Sequence, residues 1–138
     1  MRRAALFGVL LTLAGCSPRT STPVPDPKIK VVDVTLGRAV GADKRITSPA
    51  ATFSPADVVY ASVVTEGDAR RLTLVARWTR DGVVLEQTPQ EIAPKGTTVS
   101  EFHVFNPSGW TAGEYRVEIL LDGLVMADRS FHVSAEKP

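Results

Sequence analysis

Residues 72–85 read Leu72-Thr-Leu-Val-Ala-Arg-Trp78-Thr-Arg-Asp81-Gly82-Val-Val-Leu85, and this stretch decides the fold. Apolar side chains occupy every second position from Leu72 to Trp78, and threonines and an arginine lie among the positions between them. A period of two is typical of a β-strand with one buried face. Asp81-Gly82 follows directly and is a strong signal for a two-residue hairpin. The stretch therefore predicts two antiparallel strands joined by a tight turn.

The same pattern continues along the chain on both sides of this hairpin. Besides residues 72–80, the sequence predicts strands at residues 29–36, 58–65, 83–85, 97–105, 115–121 and 125–133. Asp122-Gly123 marks a second hairpin, and no helical periodicity extends beyond one or two turns. About seven short strands at regular spacing predict an all-β fold, an antiparallel β-sandwich. Because Cys16 is the only cysteine, this domain has no disulfide.

Two features of the predicted strands resemble the immunoglobulin fold. Trp78 ends the third strand, where that fold often buries a tryptophan, and residues 106–115 resemble the corner before strand F. Tyr115 takes the place of the corner tyrosine, while Val117 stands where antibody domains carry their second cysteine. The resemblance covers roughly residues 31–133 and implies an immunoglobulin-like sandwich without the disulfide.

Short motifs extend this resemblance to a recurring bacterial extracytoplasmic module. They are Phe53-Ser-Pro-Ala-Asp57, Ala76-Arg-Trp78, Glu101-Phe-His103 and Gly109-Trp110 followed by Gly113-Glu-Tyr115. The resemblance to such modules implies no catalytic residues.

The amino terminus has the layout of a secretory signal. Met1-Arg2-Arg3 is followed by an apolar run to Leu13, and then by Leu13-Ala14-Gly15-Cys16. This ending resembles the lipobox of bacterial lipoproteins, which implies cleavage before Cys16 and acylation of that cysteine. An ordinary signal peptide with a chance cysteine is the alternative. A membrane-spanning helix needs about 20 apolar residues, and this run is shorter.

These features divide the chain into three parts: a signal peptide at 1–15, a lipidated cysteine and tether at 16–28, and the sandwich domain at 29–138. Residues 17–28 contain four prolines in twelve residues, a composition that favours an extended polyproline II conformation. Such a tether reaches roughly 35 Å. We expect it to hold the domain clear of the lipid headgroups.

Charge and composition narrow the expected partners. Loss of Arg2 and Arg3 with the signal leaves 14 Lys and Arg against 15 Asp and Glu, and no basic stripe is present, so nucleic acid is not expected. The predicted partners are the lipid bilayer, through acylated Cys16, and an envelope protein or polymer. Lipoproteins with aspartate after the cysteine are usually retained at the inner membrane in enteric-type bacteria. Ser17 stands there, which favours the periplasmic face of the outer membrane.

No catalytic or metal-binding motif is present. The chain has no Gly-x-Ser-x-Gly, His-Glu-x-x-His or paired-carboxylate motif, so we expect a non-enzymatic protein. His103 and His132 are the only histidines and lie on separate predicted strands. Histidines in such positions are solvent-facing or hydrogen-bonded locally, so neither a metal nor another cofactor is predicted.

Four residues are candidates for partner binding. Trp110 lies in a glycine-containing loop and either anchors a partner or folds under the corner to close the core, of which the second is favoured. Arg38, Lys44 and Arg45 lie in the long connection 37–52, and long loops are often functional. The predicted function is an interaction or structural module of the envelope. The alternative is a periplasmic carrier of a small molecule or metal, or a hydrolase inhibitor.

Overall fold

The computed structural model describes Gly15 and residues 29–135, in which eight strands form two sheets. Cys16, the tether and the rest of the signal segment lie outside the described residues. The strands are β1 (Lys30–Gly37), β2 (Thr52–Phe53), β3 (Val59–Glu66), β4 (Leu72–Arg80), β5 (Val83–Ile92), β6 (Thr97–Val104), β7 (Gly113–Leu121) and β8 (Leu124–Val133). Within the described part of the chain, no helix has the length and hydropathy needed to span a membrane.

One sheet has the strand order β1-β3-β6 and the other has the order β2-β8-β7-β4-β5. All pairings are antiparallel except that of β2 with β8, which is parallel. The inner faces of both sheets contribute to a single hydrophobic core. The predicted all-β, immunoglobulin-like sandwich without a disulfide is confirmed.

The alternation in β4 and β7 is the strongest determinant of that core. Leu72, Leu74, Ala76 and Trp78 are all buried, and the same holds for the alternate positions of β7 from Tyr115 to Leu121. In β3 the sequence left the inward phase open, because both alternating sets contain valines. The structure places Val59, Ala61 and Val63 in the core.

Strand β5 is longer than the sequence predicted. Hydrophobic residues predict a strand only over 83–85, whereas the strand continues to Ile92, which pairs with Leu72. Residues 86–91 are all polar or proline and mostly exposed, so they carry no apolar alternation. Their conformation comes from backbone pairing with β4, which hydrophobic patterning does not report.

The 37–52 connection carries the chain from the β1 sheet to the β8 sheet. It folds back on itself through bridges between Gly37 and Pro49 and between Val40 and Ile46. A side chain at residue 37 would collide with the Ile46 side chain and the Ser48 carbonyl, so the crossing requires glycine there. The connection ends in β2, an eighth strand that the sequence did not predict.

We expect Trp78→Ala to lower the free energy of unfolding by about 3–5 kcal/mol, because Trp78 is 1% exposed and truncation leaves a large cavity. Its indole N–H has no hydrogen-bond partner among the described residues, so packing alone holds it. Urea denaturation measures the loss. Val83→Ala, on a 63% exposed side chain, is the control and should change stability by about 0.5 kcal/mol or less. A loss below about 1 kcal/mol for Trp78→Ala would contradict its place in the core.

Candidate functional site

An aromatic cluster closes one end of the sandwich, and Phe131 lies at its centre. The Phe131 ring centroid lies 5.3 Å from Tyr115, 5.6 Å from Phe53, 6.0 Å from Trp78 and 6.2 Å from Trp110. Phe131 pairs across the strands with Tyr115, and their rings are stacked with an interplanar angle of 12°. Sequence reasoning did not single out Phe131. Its alternation with Val133 was the available signal.

Tyr115 forms the corner that the resemblance implied. Its hydroxyl donates a hydrogen bond of 2.6 Å to the Thr111 carbonyl, four residues upstream. The Arg80 guanidinium lies 5.2 Å above the ring, on the side away from Phe131, and donates to the Ala112 carbonyl at 3.2 Å. Gly113 has a φ of 147°, and a Cβ there would lie 3.1 Å from Arg80 Nη2. The corner and Arg80 therefore form one packed unit.

Trp110 is part of this unit and not an exposed anchor. The side chain is 6% exposed, its Nε1 donates to the Asp57 carbonyl at 2.9 Å, and its backbone N–H donates to the Pro55 carbonyl at 2.8 Å. The positive φ of Gly109, 84°, lets the loop turn tightly beneath this segment. Trp110 is thus buried at the corner, as in the arrangement that the sequence favoured, in which its ring folds under the corner.

Arg38 also contacts the segment around Asp57. Its Nε lies 3.1 Å from Asp57 Oδ2, its Nη2 donates to the Thr52 carbonyl, and its guanidinium lies 5.3 Å above the Phe53 ring. Asp57 also accepts a hydrogen bond of 2.7 Å from the Ser54 N–H. The charge of Arg38 is therefore committed to the fold, and the residue is not a free binding cation.

Lys44 and Arg45 lie at the tip of the connection and are exposed. Lys44 has a φ of 66°, which places it in the turn between the bridged residues Val40 and Ile46. Arg45 Nε lies 4.0 Å from Asp43 Oδ2, at the limit of an ion pair. The four predicted binding residues therefore do not form one surface. Trp110 and Arg38 pack at the end of the sandwich that the aromatic cluster closes. Lys44 and Arg45 lie at the exposed tip of the 37–52 connection.

The histidines are exposed and each contacts one glutamate. His103 Nδ1 lies 2.7 Å from Glu101 Oε1, and His132 Nδ1 lies 2.6 Å from Glu114 Oε1. This agrees with the prediction of local hydrogen bonding. Among residues 29–135, no group of three or more histidine, cysteine, aspartate and glutamate side chains is placed to hold a metal ion.

A groove of about 350 Å³ lies beside the corner, at the start of the edge strand β5. We call it the β5 groove. Its lining includes Arg80, Leu85, Glu86, Phe105, Pro107 and Trp110. Leu85 and Phe105 are 48% and 51% exposed, and Val83 and Val84 beside them are exposed too. The sequence interpretation missed this surface. The available signal was an apolar triplet followed by an all-polar strand.

Comparison with known proteins extends only to the fold. No protein-family model and no curated protein matches the chain. An immunoglobulin-like protein from Pseudomonas aeruginosa superposes with a TM-score of 0.50 at 16% identity, over 77% of this chain and 96% of that one. The C-terminal domain of Wzt gives a TM-score of 0.60 at 12% identity, over 83% and 78%. The fold is immunoglobulin-like.

A third match is to part of a larger chain. Alkylpurine DNA glycosylase AlkC from Pseudomonas fluorescens, solved with DNA containing an abasic site analogue, superposes with a TM-score of 0.51 at 12% identity. The match covers 77% of this chain but 30% of that one. At these identities the likeness concerns architecture alone.

We expect Trp110→Ala to destabilise the immunoglobulin-like domain by more than about 2 kcal/mol, since it removes a buried ring and the hydrogen bond to the Asp57 carbonyl. Thermal and urea denaturation measure the change. Phe105→Ala, which truncates a half-exposed ring at the same end of the domain, is the matched control and should cost less than about 1 kcal/mol. Equal stability of the wild-type and Trp110→Ala proteins would contradict the closed corner.

Proposed function

We propose that this protein is a lipid-anchored, non-enzymatic interaction module of a bacterial cell envelope, which presents the β5 groove to a partner protein. One observation carries the proposal. Of the seven large hydrophobic side chains that are exposed among the described residues, two, Leu85 and Phe105, lie together in the lining of this groove. Contiguous exposed apolar surface is typical of interaction sites.

The membrane anchor rests on the lipobox-like Leu13-Ala14-Gly15-Cys16. Acylation of Cys16 attaches the protein to a membrane, and Ser17 favours the periplasmic face of the outer membrane. More than one acyl chain is required for stable anchoring, because a single myristoyl chain binds only marginally.

The fold separates the groove from the point at which the tether joins the domain. The tether joins β1 at Lys30, which pairs with Glu66 at one end of the sandwich. The groove lies at the other end, beside Phe105, which follows the end of β6. The eight residues of β1 separate the two ends by about 26 Å. The tether therefore joins the domain about that far from the groove, so the groove does not lie at the point of attachment.

The chemistry of the groove favours binding over catalysis. Arg80 is committed to Tyr115 and the Ala112 carbonyl, and the Tyr115 hydroxyl to the Thr111 carbonyl. Glu86 is the one carboxylate among the lining residues. A groove that combines apolar side chains with polar groups, several of them already hydrogen-bonded within the fold, suits recognition of a side chain.

We expect Cys16→Ser to abolish stable membrane attachment, because it removes the thiol that receives the lipid. Fractionation of membranes from soluble protein measures the loss, and mass spectrometry of the amino-terminal peptide identifies the acyl groups in the wild-type protein. Ser17→Ala is the control and should remain membrane-bound. An unmodified Cys16 in the wild-type protein would contradict the anchor.

We expect a photo-crosslinking residue at position 85 to capture a partner in intact envelopes. Val125 lies near the anchored end and is 49% exposed, against 48% for Leu85, so the same crosslinker at position 125 is a matched control. Gel shift and mass spectrometry identify the products. The proposal requires a product at position 85 that is absent at position 125. Identical products at both positions, or none at position 85, would contradict it.

A further inference from the structure

The core-facing side of β5 is uncovered where the strand begins. Glu86 pairs across the strands with Trp78, and directly paired residues of antiparallel strands share a face. Trp78 is 1% exposed, whereas Glu86 is exposed. The sandwich therefore closes over β4 but not over the beginning of β5. Further along, Gln90 Nε2 donates a 2.6 Å hydrogen bond to the Glu101 carbonyl of β6 and joins the two sheets there.

The backbone edge of β5 is open only over its first half. Strand β5 is the outermost strand of its sheet. Pro89 lies opposite Val75 and has no N–H, so its nitrogen belongs on the side away from β4. Gln87, two residues earlier and opposite Arg77, is in the equivalent position and turns its N–H to the free edge. Residues 83–87 therefore offer an edge that Pro89 ends and in which Leu85 is the extra residue of a bulge, because Thr79 pairs with Val84 and Trp78 with Glu86.

The charge at this edge is uncompensated. Glu86 forms no ion pair within residues 29–135, whereas Arg80, the cation of the groove, is held by Asp81, Tyr115 and the Ala112 carbonyl. Glu91, further along β5, is paired with Arg71 at 2.6 Å. The open part of the edge thus presents the exposed side chain of Leu85 and the unpaired carboxylate of Glu86.

We propose that the β5 groove binds an extended peptide segment of a partner protein, which adds as a strand to residues 83–87. The bulge brings both Leu85 and Glu86 into the lining of the groove. An aliphatic side chain of the peptide packs against Leu85 and Phe105, and a lysine or arginine two positions away, on the same face of the peptide, pairs with Glu86. This inference rests on the proposed function and adds the chemistry of the partner. Main-chain hydrogen bonds supply affinity, and the groove and Glu86 supply specificity.

Complementarity of charge selects this occupant over a second copy of the chain. Pairing two identical edges would add a second free Glu86 and no cation, and Pro89 limits the shared edge to a few residues. The chain's own residues 16–28 are disfavoured by their attachment. They join the domain at the opposite end, so a tether lying in the groove would draw the groove toward the bilayer that holds Cys16.

The test measures fluorescence anisotropy with full-length wild-type protein in detergent and a synthetic probe, fluorescein-labelled Ser-Lys-Thr-Val-Thr-Val-Thr-Lys-Ser amide. We expect saturable binding, and about tenfold weaker binding when both lysines are replaced by glutamate. Two further probes carry N-methyl groups on alternate residues, which removes the backbone donors from one edge of the peptide or from the other. Only one of the two should lose affinity, by about tenfold or more, because an added strand bonds through one edge.

Variants of β5 test the protein side. Glu86→Lys should lower the affinity for the lysine probe and raise the affinity for the glutamate probe, each by about tenfold. Glu91→Lys makes the same charge change beyond Pro89 and is the matched control, expected to alter affinity by about twofold or less. Gln87→Pro should abolish binding by removing the edge donor. Thermal denaturation of each variant checks the fold, and the N-methylated probes test the edge on wild-type protein should Gln87→Pro fail to fold.

Three results would overturn the inference: no saturable binding, equal affinity of the two N-methylated probes, or equal affinity of the lysine and glutamate probes. Crosslinking from position 85 to a second copy, or to residues 16–28 of the same chain, would also overturn it. A foreign partner captured at position 85 together with failure of all the peptide probes would leave the proposed function standing and reject the extended-peptide partner.

Discussion

The stacking of Phe131 on Tyr115 is the interaction on which the closed end of the domain depends. The two residues are a cross-strand pair of β7 and β8, and Trp78, Phe53 and Trp110 pack around Phe131 from other elements. Antibody domains join their two sheets with a disulfide at the centre of the sandwich. The only cysteine here lies outside the domain, so the packing of the common core holds the two sheets together, and the aromatic cluster joins β2, β8, β7 and β4 of one sheet to the loop that carries Trp110. Each such ring pair adds roughly 0.5–1.5 kcal/mol beyond the burial of its surface.

Two residues of this cluster also line the groove at which we propose that a partner binds. Tyr115 and Trp110 face the core on one side and contribute to the β5 groove on the other, and Arg80 lies between the tyrosine ring and that groove. Substitutions of these residues therefore change stability and the shape of the groove together. Leu85, Glu86 and Phe105 lie outside the core cluster. Substitutions at these positions can therefore test the proposed binding without a large loss of stability.

The free edge of β5 carries residues that limit its pairing with other strands. A free strand edge invites pairing with any other edge, and natural proteins restrain it with proline and with charges that point inward. Pro89 blocks the second half of β5, and Glu86 places a charge on the core-facing side of the first half. These residues disfavour association with a second copy of the same acidic edge. In the proposed complex, a strand that carries its own cation can still pair with this edge, and Glu86 then contributes to specificity.

The sequence by itself determined the sandwich, because the alternation from Leu72 to Trp78 and the hairpin at Asp81-Gly82 are local signals. It also identified Tyr115 as the corner residue, since that motif is contained in a few consecutive positions. Tertiary structure alone decided that Trp110 and Arg38 hold the segment around Asp57 and do not face a partner, because these contacts join residues 19 and 53 positions apart. It likewise decided that β5 is an open edge. Strand order depends on which neighbour each strand acquires in space. Pro89 is typical of an edge strand, but it does not record which strand lies beside β5.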